Sequence, residues 1–153
     1  MDKKVKKAII TLSKVFPATH NRNGEPTGFR DKLGNGTKIH TIRANYEWWA
    51  KKMQAINNGR MFLSIREWSG KPYYSPQIEI RQIHKIGLQK VKMIYAINDV
   101  EPKVWIDGKL IPVQEVCKND GLSLLDFIDW FFGAGNHDYE GACIQFTDFR
   151  YGG

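Results

Sequence analysis

Residues 36–43 read GTKIHTIR and crowd Lys38, His40, Thr41 and Arg43 between two isoleucines, Ile39 and Ile42, that suit a core. A lysine can take the proton of a threonine hydroxyl only as the neutral amine. Burial or a neighbouring cation must therefore lower its pKa, and Arg43 supplies such a cation. In a regular strand Lys38 and Thr41 point to opposite faces. They meet only if the backbone turns or bulges there, or if the lysine reaches around. A carboxylate that holds the lysine would complete the set, and KNDGLS offers Asp120. On spacing alone the plainer reading is a surface lysine, a strand threonine and an aspartate favoured in a turn for its local backbone bonding.

A second group of residues suits recognition rather than reaction. REWSGKPYYS (66–75) sets Trp68, Tyr73 and Tyr74 beside Arg66 and Lys71, and bases of single-stranded nucleic acid stack on exposed rings flanked by cations. The alternative is a β-turn whose aromatics cover a sheet. The chain has 23 Lys and Arg against 16 Asp and Glu, a net charge of +7, which favours an anionic partner such as RNA or single-stranded DNA. His20, His40, His84 and His137 are scattered without ligand spacing, so no metal site is expected. Cys117 and Cys143 stand far apart and suit buried thiols in a reducing cytoplasm. No apolar run approaches the length of a membrane span, and the basic start MDKKVKKAIITLSKVF lacks the apolar region and cleavage site of a signal peptide.

The elements that must position these residues follow from periodicity. With 153 residues the chain suits a single domain over 1–153. Ala8–Phe16 reads as a first strand, 20–28 as a loop, and Pro26 as the opening of a short helix carrying Phe29 and Leu33 on one face. TKIHTIR reads as extended because of its β-branched residues. NYEWWAKKMQAINNG reads as a helix, capped by Asn45, with Trp49, Met53 and Ile56 sharing a face, and stopped by Gly59. RMFLSIREW and QIEIRQI alternate as strands, the second with Ile78 and Ile80 inward. QKVKMIYAI is a further strand, VWIDGKLI a hairpin turning at Asp107-Gly108, SLLDFIDWFFG a helix starting at Ser123, and ACIQFTDFRY a last strand. Trp105 and Trp130 are expected in the core. Strands in succession without βαβ alternation predict an α+β fold with a largely antiparallel sheet that can close on itself.

GTKIHTIR is similar to the G-x-K-x-x-E-x-R signature of ASCH domains, with Gly36, Lys38 and Arg43 in place and Thr41 where the glutamate stands. RANYEWW, WSGKPYYS and NDGLSLLDFIDWF look like the phage and prophage subset of that family. The likeness covers roughly 8–150. It implies a PUA-like small β-barrel with flanking helices that recognises RNA, a nucleotide or a modified nucleoside without a cofactor. Lys38, Arg43, Arg66, Trp68, Lys71 and Tyr73 would then contact the ligand. One ASCH branch, the bacterial N4-acetylcytidine amidohydrolases, also carries Thr at the position of Thr41. Resemblance to it implies hydrolysis by Lys38, Thr41 and an acid whose nearest counterpart is Asp120. That branch has Glu, one methylene longer, and lacks the helix that follows Arg43. The leading expectation is therefore a binding module, with amide hydrolysis the alternative.

Overall fold

The structure is a computed structural model that describes residues 5–153; residues 1–4 of the expected domain and of its basic start lie outside it. In chain order come β1 (Lys6–Thr11), α1 (Phe29–Gly34), β2 (His40–Arg43), α2 (Tyr46–Asn57), β3 (Met61–Trp68), β4 (Gln77–Ile83), β5 (Gly87–Ile94), β6 (Lys103–Ile106), β7 (Lys109–Ile111), α3 (Val113–Asp120), α4 (Leu124–Phe132) and β8 (Asp138–Gln145). The fold is α+β. One sheet runs β1-β3-β4 and the other β2-β8-β5-β6-β7. All pairings are antiparallel except β1 with β3. Among the described residues no ladder joins the two sheets into a closed barrel. Consequently β1 and β2 are both edge strands.

Local chemistry accounts for most elements. The Asn45 side chain accepts from Trp48 N and starts α2, whose Trp49 and Ile56 are buried and whose Met53 packs on the core. The Ser123 hydroxyl accepts from Asp126 N and starts α4. Asp107 and Gly108 both take positive φ, the conformation of a tight hairpin turn, between β6 and β7. Phe127, Ile65, Val104 and Ile144, fully or almost fully buried, anchor a core shared by both sheets and α4. Cys117 and Cys143 are free and buried, as expected.

Several expectations are corrected. β1 begins earlier than Ala8 and ends at Thr11, because Val15 leaves it to bridge Pro26. Pro26 thus does not open α1, which starts two residues beyond Thr27 behind a left-handed Gly28. β8 begins at Asp138 and ends at Gln145, so Phe146–Tyr151 is not strand. The β3–β4 ladder slips between Ile65 and Arg66, passing over Ile80. Such a bulge shifts the alternation of the bulged strand, and Ile78, expected inward, is 41 % exposed. Helix α3 was not anticipated as an element. Trp105 is only partly buried and lies outside the core, whereas Trp130, also partly buried, packs against it as expected.

Candidate functional site

The segment that leads into β2 is tethered at both sides before the strand begins. Lys38 N bonds to Lys32 O at the end of α1, and Ile39 N bonds to Asn119 O in α3, each at 2.9 Å. Across from it, α3 ends at Gly121 in the left-handed conformation, with Gly121 N on Lys118 O and Leu122 N on Cys117 O. This pair of bonds is the Schellman closure, and it leaves the Asp120 carbonyl without a helical partner. The Lys38 ammonium takes it, donating to Asp120 O at 2.8 Å and to Asp120 Oδ1 at 3.0 Å. A cation at the end of a helix is also favoured by the helix dipole. Gly121 serves the geometry twice, since a Cβ there would lie 3.2 Å from Lys38 Cβ as well as demanding a positive φ.

Lys38 and Asp120 are 2 % and 4 % exposed, so this is a buried ion pair. Burial lowers the Lys38 pKa below 10.5; Asp120 opposes the shift and Arg43 adds to it. Burial alone would raise the Asp120 carboxyl, but Lys38 and His40 together outweigh it and hold the carboxyl below 3.8. Burial likewise lowers Arg43, against the pull of Asp120. The Lys38 ammonium also sits 4.4 Å from the centre of the Phe29 ring.

Lys38, Thr41, Arg43 and Asp120 all line one cavity of about 90 Å³, between the end of β1 and the edge of β2. Leu12 and Ser13 form its β1 side, and Phe29, Trp130 and Phe131 form an aromatic wall. The opposite-face problem of Lys38 and Thr41 is solved by the edge. Lys38 precedes β2, and among the described residues no strand pairs with the free side of β2, so a lysine anchored on α3 and a threonine on the strand reach one space. Thr41 Oγ1 accepts from Arg43 Nε at 3.4 Å, and Arg43 also donates to Thr11 O at 3.0 Å, which ties the two edge strands together. Lys38 spends its hydrogen bonds on Asp120 and makes none to Thr41. No residue of α2 lines the cavity, so the helix after Arg43 leaves it uncovered.

The other expected residues lie apart from this cavity. Arg66 donates to Ser64 Oγ and Gln77 Oε1, and Gln77 in turn reaches Thr11 Oγ1. Trp68 and Tyr73 pack with ring centres 5.1 Å apart, and Lys71 lies 4.8 Å from the Tyr74 ring. Tyr73 is 85 % exposed and holds φ at 66°. The turn touches the cavity's neighbourhood through Lys14 Nζ, which donates to Ser69 O next to the Ser13 rim.

Sequence reasoning missed two features. His40 and Tyr151 stand behind Asp120, with His40 Nδ1 3.3 Å from Asp120 Oδ1 and His40 Nε2 2.6 Å from the Tyr151 hydroxyl. The available signal was parity: His40 lies two residues from Lys38, on the same side of an extended chain. The second is a groove of about 730 Å³ beside the start of α2, where Lys90 and Lys92 face Glu47 and Glu140 around Tyr46 and Trp105. Its two lysines are matched in number by its two carboxylates. No signal in the separated segments pointed to it. Comparison with protein-family models, curated proteins and solved structures finds no match.

Proposed function

We propose that the protein is an amidohydrolase of the ASCH type, with a PUA-like arrangement of its strands, that removes an acyl group from a modified nucleoside such as N4-acetylcytidine. The observation that carries this reading is the contact between Lys38 and Asp120 at 3.0 Å, inside the cavity that Thr41 also lines. The shorter acid, the main reason to expect binding without chemistry, reaches the lysine because it rides on the end of α3. The same contact weakens a phosphate-binding role for Lys38, whose ammonium is buried and already paired.

The cavity is the size of about three waters at roughly 30 Å³ each, well below the 300–1,000 Å³ typical of pockets that enclose a whole ligand. It suits the acyl-amide end of a substrate, with the base and sugar on the rim. A neutral Lys38 keeps two N–H groups for Asp120 O and Oδ1 and turns its lone pair to the cavity. Thr41 Oγ then attacks the acyl carbon while its proton passes to Lys38. Arg43 faces the developing oxyanion. Collapse breaks the C–N bond as Lys38 protonates the leaving amine, and water hydrolyses the threonine ester by the reverse use of Lys38. These steps need no metal or cofactor, and the proposed setting is the cytoplasm.

One observation favours a second reading, a nucleic-acid-binding module: the exposed Tyr73, Tyr74 and Lys71 beside Trp68 form a ready stacking surface. Incubation with N4-acetylcytidine, free and within a single-stranded RNA, separates the two. Hydrolysis predicts acetate release that Thr41→Ala and Lys38→Ala each abolish. Binding alone predicts no acetate from any variant, with affinity for the RNA retained in Thr41→Ala.

A further inference from the structure

The ring of His40 is fully buried, yet its Nδ1 has no well-formed hydrogen bond. The nearest acceptor, Asp120 Oδ1, is within reach at 3.3 Å, but the ring is not aligned for a hydrogen bond to it. A buried polar group left in this state costs stability and calls for a reason.

The protonation of the ring follows from its neighbours. The Asn119 amide donates to the Tyr151 hydroxyl at 3.0 Å, which leaves the single O–H of Tyr151 free to donate to His40 Nε2 at 2.6 Å. In that arrangement Nε2 accepts, and Nδ1 carries the hydrogen facing Asp120. Tyr151 is itself fixed from both sides of its backbone, since Gln89 accepts from Tyr151 N at 2.9 Å and donates to Tyr151 O at 3.0 Å.

We infer that His40 is a positioning residue whose Nδ1–H closes on Asp120 Oδ1 when Lys38 gives up its proton, and that Tyr151 holds the ring in the tautomer this requires. The inference rests on the reading of Lys38 as the proton carrier. While Lys38 is charged it carries most of the balance of the carboxylate, with His40 adding to it from 3.3 Å. Once it is neutral, Asp120 keeps its charge in a buried site, and His40 is the donor placed to take up the same oxygen. The orphaned nitrogen of the resting state is thus a partner of the working state. Other groups facing the pair are Arg43 on β2, Cys143 and Tyr139 on β8, Cys117 on α3 and Lys32 on α1. Burial pushes both thiols and Tyr139 up, so at neutral pH these three are uncharged. Arg43 and Lys32 remain in every variant below.

The test is the titration of Lys38 itself, followed by NMR of protein labelled at lysine Cε, with Lys38→Met to assign the signal. In His40→Leu the Asp120 charge faces Lys38 alone and holds its proton more tightly, so the midpoint moves to higher pH. Turnover of N4-acetylcytidine at neutral pH falls roughly tenfold and recovers as pH rises, a tenfold change in the neutral fraction matching one pH unit. His40→Asn, whose amide nitrogen sits near the place of Nδ1, brings both readouts back toward the unmodified protein. Tyr151→Phe keeps the core filled, frees the tautomer and gives a smaller shift in the same direction, which serves if His40→Leu does not fold. A Lys38 midpoint that stays or falls in His40→Leu and in Tyr151→Phe overturns the inference. Absence of acetate release together with the shifted midpoint removes the amidohydrolase reading and leaves the coupling of His40 to Lys38 standing.

Discussion

The cleft at β2 and the turn after β3 use the same kinds of side chain, cations beside aromatic rings, in opposite surroundings. In the cleft Lys38 is 2 % exposed, paired with Asp120 and set over Phe29. In the turn Lys71 lies over Tyr74 in open solvent, next to a Tyr73 that is 85 % exposed. A buried charge is held in one place, its proton is tuned by a few neighbours, and its loss is felt by the whole fold. An exposed charge is screened and mobile, and acts through whatever approaches it. The first is suited to moving a proton and the second to meeting a ligand.

Truncation should separate the two regions most sharply. Lys38→Ala leaves Asp120 buried without its partner, a change that costs about 3–5 kcal/mol in comparable sites. Lys71→Ala removes a solvated charge and should stay within about 0.5 kcal/mol of the unmodified protein. Urea unfolding of the two variants measures this directly. Equal effects would mean that the ion pair contributes no more than a surface contact.

Binding should reverse the ranking. With a fluorescent single-stranded RNA at low salt, Tyr73→Ala should lose about 1–3 kcal/mol of affinity if the ring carries a stacked base. Lys71→Ala should flatten the dependence of binding on salt by about one unit of slope. Thr41→Ala should leave both quantities alone. An RNA affinity that ignores Tyr73 and Lys71 would reduce the turn to a cover for the sheet.

The smallest effect sharpens the comparison through acid. The Asp120 carboxyl is lower in the folded protein than its ordinary 3.8, because Lys38 and His40 outweigh the cost of its burial. A group lowered on folding contributes stability that is complete above its ordinary value and disappears as pH falls through its folded value. The unmodified protein should therefore lose melting temperature below about pH 4 more steeply than Asp120→Asn, and the two curves should converge as acid is added. Parallel curves would show that Asp120 is not ionised at neutral pH.

Helices α2 and α4 were legible from capping residues and apolar spacing, and the β6–β7 hairpin from Asp107-Gly108, because each of those signals acts within a few residues along the chain. The α+β class followed from the run of strands in succession without βαβ alternation. Helix α3 was obscured by its length of eight residues and by Pro112 at its start, a position where proline is tolerated but which carried no cap signal. The phase of β4 was lost to a bulge that only the pairing with β3 creates. Lys38, Thr41, Arg43 and Asp120 could be named as candidates from residue type, and the basic aromatic turn at 66–75 likewise.

Whether those candidates meet was a different matter. A carboxylate 82 positions along the chain from Lys38 is placed by where α3 stops. The access of Lys38 and Thr41 to one cavity depends on β2 being an uncovered edge. The pairing of His40 with Tyr151, 111 positions away, depends on the backbone grip of Gln89 on the C-terminal turn. By itself the sequence determined which chemical groups are present and which short segments coil or extend, since those follow from side-chain type and local backbone preference. The tertiary structure alone decided which groups are buried together, because burial and long-range contact depend on how distant segments pack, and it is that packing which brings a lysine, a threonine and an aspartate to one cavity.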